Sequence, residues 1–493
     1  MLRVFLFCYE KYKPSEKKYI ETPLIVRYNE KKKFFRWCKM NIKFYVTDQN
    51  GKRLELVSTE EMQYKNTDAI EEQNHPGDVE AFLVNLHPDV EFQSVGGIGG
   101  AFTDTSATVW DNMPKDKQEE FVKAYFDSES GIGYNLGRLS IASCDFSTED
   151  YTYVTEGDTS LESFDISHDK KAVFPLVKEA QKLSDVTLFA SPWSPPAFMK
   201  TNLSRIGGHL KKDCYGLWAK YFRKYIKACK DNEINIWAVT MQNEPRHHQI
   251  WESCLYTPEE EAEFLGYLGR ELEGSGVKIL CYDHCRERVY ERAKFIYESE
   301  NGKYCDGIAN HWYSGDHFGE LKAHAAKYPD KISIASEGCC AVTGSGIQDE
   351  VDLPHAEAYA HDMIGCFNNG LTHYCDWNLI LNEQNGPYHN REGRGCSAEA
   401  PIYYDRESGE LIYRLSYYYI GHISKFVKKD AKVISSSSYD ARLESAAFKN
   451  PDGSIVCVLL NRTGDSLEAI VRVNGEIAKI QIAPRSIATA VIE

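Results

Sequence analysis

Nowhere in its 493 residues does the chain hold the run of about 18–20 apolar residues that a membrane-crossing helix needs, so no stable membrane insertion is expected. An excess of positive charge is missing too. Asp and Glu (73) outnumber Lys and Arg (57), and the formal net charge is −16. A surface that acidic repels nucleic acid, which is excluded as a partner. No disulfide framework is legible. The 15 cysteines are odd in number and scattered, several inside apolar runs such as those around Cys366 and Cys457. That is the pattern of reduced thiols in a reducing compartment, and a cytoplasmic location is the expectation. Residues 2–9 form an apolar patch without a cleavage site after it, a poor secretion signal. Metal spacing is equally thin. Cys281 and Cys285 flank His284, but no second pair stands at finger-like spacing, so neither a metal nor a cofactor is expected. Gly96-Gly97-Ile98-Gly99-Gly100 is not a phosphate loop: Phe102 occupies the place of the third glycine in G-x-G-x-x-G, and no G-K-[ST] follows. Tight backbone packing at a strand end is the better reading.

What is present is a long, globular chain. Cores stop growing near roughly 250–300 residues, so a large domain with a smaller companion is expected. Residues 1–39 are rich in Lys and aromatics with little periodicity and read as an extension, with Met40 as the expected physiological start. From there Ile42, Phe44 and Val46 alternate with polar residues, Asn50-Gly51 signals a hairpin, and Leu54 and Leu56 resume the alternation. The C-terminal end is similar, with a hairpin about Asn450-Pro451-Asp452-Gly453 and strands over 469–473 and 487–492. The economical solution is one small β-sandwich built from both chain ends, residues 40–90 and 426–493. Between them, over 91–425, eight short apolar runs (95–102, 136–142, 186–190, 236–240, 277–281, 307–310, 332–335 and 372–377) alternate with amphipathic segments. Trp218, Tyr221, Phe222 and Tyr225 share a helical face, and Thr257-Pro258-Glu259-Glu260 is a capping box. Eight βα units predict a (β/α)8 barrel; an open doubly wound sheet is the alternative.

Catalytic groups of such barrels sit at the C-terminal ends of strands. Glu244, after the fourth apolar run, and Glu337, after the seventh, both do, and strands four and seven face each other across the barrel mouth. Two carboxyls there can flank one glycosidic bond, one protonating the leaving oxygen and the other attacking the anomeric carbon. Mutual repulsion is expected to raise the pKa of the acid. A lone glutamate would read as a solvated surface group; the pair does not.

Long stretches of the chain resemble glycoside hydrolase family 30, most nearly its glucosylceramidase branch. They include Gly99-Gly-Ala-Phe-Thr-Asp104, Ala142-Ser-Cys-Asp-Phe-Ser147, Ala190-Ser-Pro-Trp193-Ser-Pro195, Asn243-Glu244-Pro245, His311-Trp-Tyr313, Ala335-Ser-Glu337 and Asp376-Trp377-Asn378. The similarity runs from about Val95 to the C-terminus. It implies a retaining β-glycosidase removing terminal β-D-glucosyl residues, with Glu244 as acid/base and Glu337 as nucleophile. It further implies Asn243 on the sugar 2-OH, and Asp104, Trp193 and Trp377 on the remaining hydroxyls. Tyr313 would donate to the nucleophile, with His311 and Arg138 in support; for Arg138 a purely structural ion pair is the equal alternative, and for the two tryptophans core packing. The partner is then a β-glycoside, with a glycolipid among the candidates. Other glycones (β-xylosides, β-fucosides, β-1,6-glucans) and a silent carbohydrate-binding protein are the rivals. Arg246-His247-His248 departs from the pattern and reads as a solvated loop, Cys339-Cys340 as oxidation-sensitive thiols, the Asn461 sequon as unmodified, and the loop 383–400 as a roof over the site.

Overall fold

The computed structural model describes residues 40–64, 82–343, 346–389 and 396–493; the expected extension 1–39 and the middle of the 383–400 loop lie outside them. Period-two alternation places Ile42, Phe44 and Val46 on the buried face of β1 (Asn41–Thr47), which turns at Gly51 (φ 102°) into β2 (Glu55–Glu61). The alternation expected at Leu54 and Leu56 does not hold: β2 is a sheet edge, and Leu56 is 48% exposed because no layer covers it. A third strand, β3 (Leu83–Ser94), leads into the barrel.

Eight parallel strands follow: β4 (Gly97–Ala101), β5 (Leu136–Ile141), β6 (Thr187–Pro192), β7 (Ile236–Thr240), β8 (Lys278–Cys285), β9 (Gly307–His311), β10 (Ile332–Glu337) and β11 (His373–Asn378). They close in chain order into a barrel, so the doubly wound alternative is excluded. Leu136, Phe189, Ala238, Leu280, Ala309, Ile334 and Cys375, one from each of β5 to β11, fill the lumen as a separate apolar plug. The first strand adds none, because β4 is glycine-rich. A Cβ on Gly99 would lie 1.7 Å from the Leu136 carbonyl oxygen, so closure of β4 on β5 requires glycine there. The capping box at Thr257 opens the helix Pro258–Leu272 as expected.

Six strands complete the chain: β12 (Lys432–Ser438), β13 (Leu443–Lys449), β14 (Ile455–Asn461), β15 (Leu467–Val473), β16 (Glu476–Ile482) and β17 (Ser486–Ile492). With β1, β2, β3 and the short strand Gln63–Tyr64 they make one ten-stranded sheet, in the order β2-β1-β17-β14-β13-β12-β3-β15-β16 and then Gln63–Tyr64. One core holds Phe44 of β1 together with Val471 of β15, from opposite ends of that order, which a flat sheet cannot achieve; the sheet curls into a sandwich. Within β14, Ile455, Cys457 and Leu459 face that core, while Val456, Val458 and Leu460 join the core around the barrel. Sequence patterning passes over β3, β12 and β16, although Asn474-Gly475 before β16 is a hairpin signal.

Candidate active site

Glu337 ends β10, and Glu244 stands just beyond β7. Glu244 has a left-handed backbone (φ 47°), and its N–H donates to the Asp283 carbonyl at 2.9 Å. Tyr282 (φ 73°) and Asp283 (φ 51°) at the end of β8 are left-handed as well. For residues with a Cβ such conformations cost about 1–3 kcal/mol each and persist where their surroundings over-determine them, as here at the barrel mouth. A ring nitrogen of His311 and an oxygen each of Glu244 and Glu337 lie within 4.8 Å of one another. One oxygen of each carboxyl thus lies within 4.8 Å of the other, an approach that suits the retaining separation of about 5–5.5 Å.

Arg138, fully buried on β5, organises the floor. Its Nη1 donates to Glu337 Oε2 at 2.6 Å, its Nη2 to Asn243 Oδ1 at 2.8 Å and to Asp283 Oδ2 at 2.9 Å, and its Nε to Ser191 Oγ at 3.1 Å. It thus does both jobs considered for it, ion pair and orienter of Glu337. Asp283 also accepts from Thr240 Oγ1 at 2.6 Å and Ser336 Oγ at 2.5 Å. Burial opposes its charge, but Arg138, His311 and the Ser336 hydroxyl hold its pKa well below the usual carboxylate range. Tyr313 Oη donates to Glu337 Oε1 at 2.9 Å and lies 3.2 Å from Cys339 Sγ.

His311 Nδ1 lies 3.3 Å from Glu244 Oε1, and its Nε2 lies 3.1 Å from Asp283 Oδ1. Burial disfavours an imidazolium there, but the Glu337 charge and the two carboxylate contacts prevail and push the His311 pKa up to about 10. Glu244 is shifted the other way. Its burial is outweighed by its interactions with His247 and His311, and its pKa falls below the usual range. This reverses the expectation that Glu337 would raise it. Two carboxylates alone would repel, but a cationic ring stands between them. Gln249 Nε2 donates to the second oxygen of Glu244 at 3.0 Å.

Trp193, Asn243, Glu244, Tyr313, Glu337 and Trp377 line one cavity of about 450 Å³ at the barrel mouth. The indoles of Trp193 and Trp377 stack at 5.4 Å, and the Arg138 guanidinium lies over the Trp193 ring at 4.7 Å. Asp104 is not among the lining residues. Its Oδ2 accepts from the backbone N–H and Oγ1 of Thr148 at 2.8 and 2.7 Å, and its Oδ1 lies 3.1 Å from His168 Nε2. A larger cavity of about 940 Å³ opens at the opposite end of the barrel, beside His373 and Lys432, and brings no two carboxylates together. Of the expected roof, Ser397 and Ala398 reach the cavity edge. Sequence reasoning passed over Asp283 and Gln249, and read His247 as a solvated loop residue, whereas it lines the cavity. Asp283 could have been found by the logic applied to the glutamates, an acid closing the run Ile279-Leu280-Cys281-Tyr282.

Comparison with known proteins places this geometry. The profile described as Glycosyl hydrolase family 30 TIM-barrel domain matches residues 95–427, and Glycosyl hydrolase family 30 beta sandwich domain matches residues 430–490. The mouse protein named lysosomal acid glucosylceramidase is 33% identical over 451 residues, covering 86% of this chain and 83% of its own. An endo-1,6-beta-D-glucanase of Neurospora crassa is 26% identical over 426 residues, 82% of this chain and 86% of its own. The crystal structure of SrfJ from Salmonella typhimurium superposes with a TM-score of 0.84 at 33% identity, covering 92% of this chain and 99% of that one.

Proposed function

The chain belongs to glycosyl hydrolase family 30 and is a glycoside hydrolase, and from that premise we propose that it removes terminal β-D-glucosyl residues with retention of configuration, from a glucosyl lipid of the glucosylceramide type. The observation that carries this reading is the approach of Glu244 and Glu337 to within 4.8 Å at the cavity wall. Glu337, paired with Arg138 and aimed by Tyr313, attacks the anomeric carbon. Glu244 passes to the leaving oxygen the proton that His311 holds 3.3 Å away. Glycosylation of Glu337 removes its charge, and Glu244 then deprotonates the water that releases the sugar. Asn243, pinned by Arg138, is placed for the 2-OH, and the tryptophans offer indole faces to sugar C–H groups. Asp104, off the cavity wall, acts by holding the loop of Thr148 and His168. On the aglycone side Ile250, 47% exposed, and Trp251 give the cavity an apolar lip suited to a lipid chain.

A second reading, cleavage of β-1,6-glucan, is favoured by the similarity to the Neurospora crassa glucanase, which extends over a comparable share of the chain. Incubation with glucosylceramide, a β-1,6-glucan and a panel of aryl β-glycosides, with the first-formed anomer read by NMR, separates the two. Release of β-glucose from the lipid supports the first reading. Preferential cleavage of the glucan supports the second, and a first-formed α-anomer refutes the roles of both glutamates.

A further inference from the structure

The loop after the acid/base residue carries chemistry that hydrolysis does not use. His247 lies on the cavity wall, 48% exposed, with Nδ1 3.7 Å from Glu244 Oε2. Opposite it, at the end of β8, stands His284, 1% exposed, its ring edge-on to His247 with centroids 4.4 Å apart. Ligand atoms of Glu244, His247 and His284 all lie within 4.8 Å of one another. Nδ1 of His284 is buried without a hydrogen-bond partner, a costly state for a polar atom unless something else uses its lone pair. The neighbouring cation Arg246 is paired with Glu287 at 2.7 Å, and the positive ring of His311 is held by the other oxygen of Glu244 at 3.3 Å and by Asp283 at 3.1 Å.

We propose that Glu244, His247 and His284 form a binding site for a borderline-soft divalent cation, zinc above all, and that its occupancy silences hydrolysis by taking the carboxylate of the acid/base. Two imidazoles and one carboxylate suit zinc, and a three-ligand set leaves a position open to water. Ligand bonds of about 2.0–2.2 Å require the three atoms to close on one another by roughly an ångström, and the half-exposed His247 supplies that movement. Neither Cys281 nor Cys285 belongs to the set, which is why cysteine spacing did not reveal it. Binding of the ion stands on the three ligands alone, whereas silencing also rests on Glu244 being the acid/base.

Calorimetric titration of the full chain with zinc chloride at neutral pH, alongside turnover of an alkyl β-glucoside with and without zinc, tests both parts. One tight zinc site is expected, with turnover at saturation reduced at least about tenfold and restored by EDTA, since general acid catalysis contributes about 10²–10⁴-fold. His247→Ala and His284→Gln are each expected to weaken binding by at least the ten- to hundredfold that loss of a ligand's support costs, and to raise the half-inhibiting zinc concentration in step, each measured against its own zinc-free rate. His247 lies at the rim, so its variant remains informative if the buried one misfolds. Absence of a titratable site, or zinc affinity unchanged in His247→Ala, would overturn the site. Bound zinc that leaves alkyl glucoside turnover untouched would overturn the silencing, and the acid/base role of Glu244 with it, while the ligand set stands.

Discussion

His311 stands between Glu244 and Asp283, its ring nitrogens 3.3 and 3.1 Å from their carboxylate oxygens, so two electrostatic demands meet on one buried ring. Its pKa is raised from 6.5 to about 10 in the folded protein. A group shifted upward on folding lends stability that is fully present below its unfolded pKa and is lost as pH rises through the folded one. His311→Asn is therefore expected to lower Tm most below about pH 6.5, with the deficit shrinking as pH climbs toward about 10; thermal melts of both proteins across that range check it. Glu244→Gln should slow alkyl glycosides about 10²–10⁴-fold, spare glycosylation by aryl glycosides with good leaving groups, and be rescued by azide with a β-glycosyl azide as product. Glu337→Gln should abolish turnover of every substrate. Both glutamates were legible from strand-end position alone. Asp283 was missed although the same logic reaches it, because the apolar run was ended at Cys281 whereas the strand continues to Cys285.

At the scale of elements, short rules of backbone geometry proved reliable where they concern a local hydrogen bond or a local gap. The Thr257 hydroxyl caps the helix Pro258–Leu272, and the Glu260 side chain returns the bond. Thr257→Ala should cost about 1 kcal/mol, read from the urea midpoint at unchanged slope. Gly99→Ala should do far more, since its Cβ would overlap the Leu136 carbonyl at 1.7 Å and no flexible side chain is there to give way. Loss of the near-ultraviolet circular dichroism of the folded barrel, set beside the near-normal spectrum of the Thr257 variant, would show it. Alternation failed where burial is decided by distant layers. Leu56 alternates in sequence, yet lies uncovered on an edge strand, and β16 was overlooked because its first three residues are all buried and break the alternation.

At the scale of the whole molecule, the sandwich and barrel share one core. Val456, Val458 and Leu460 of β14 pack with the barrel's helices, and His422, from the helix Leu415–Ser424, bridges Thr47 and Thr489, both at 2.9 Å. The two parts are expected to melt as one unit, with calorimetric and van't Hoff enthalpies equal; two resolved transitions would contradict it. What the sequence by itself determined is everything written in local period and strand-end placement: eight βα units, β-rich ends, and two glutamates on strands that must face each other once the barrel closes. Only the tertiary structure decided the electrical state of the site. It inserted His311 between the two acids, joined Arg138 to Glu337 and Asp283, and set His247 beside His284. Charges act through distance in space, and those residues are far apart along the chain, so no pattern of spacing could fix which proton the site holds.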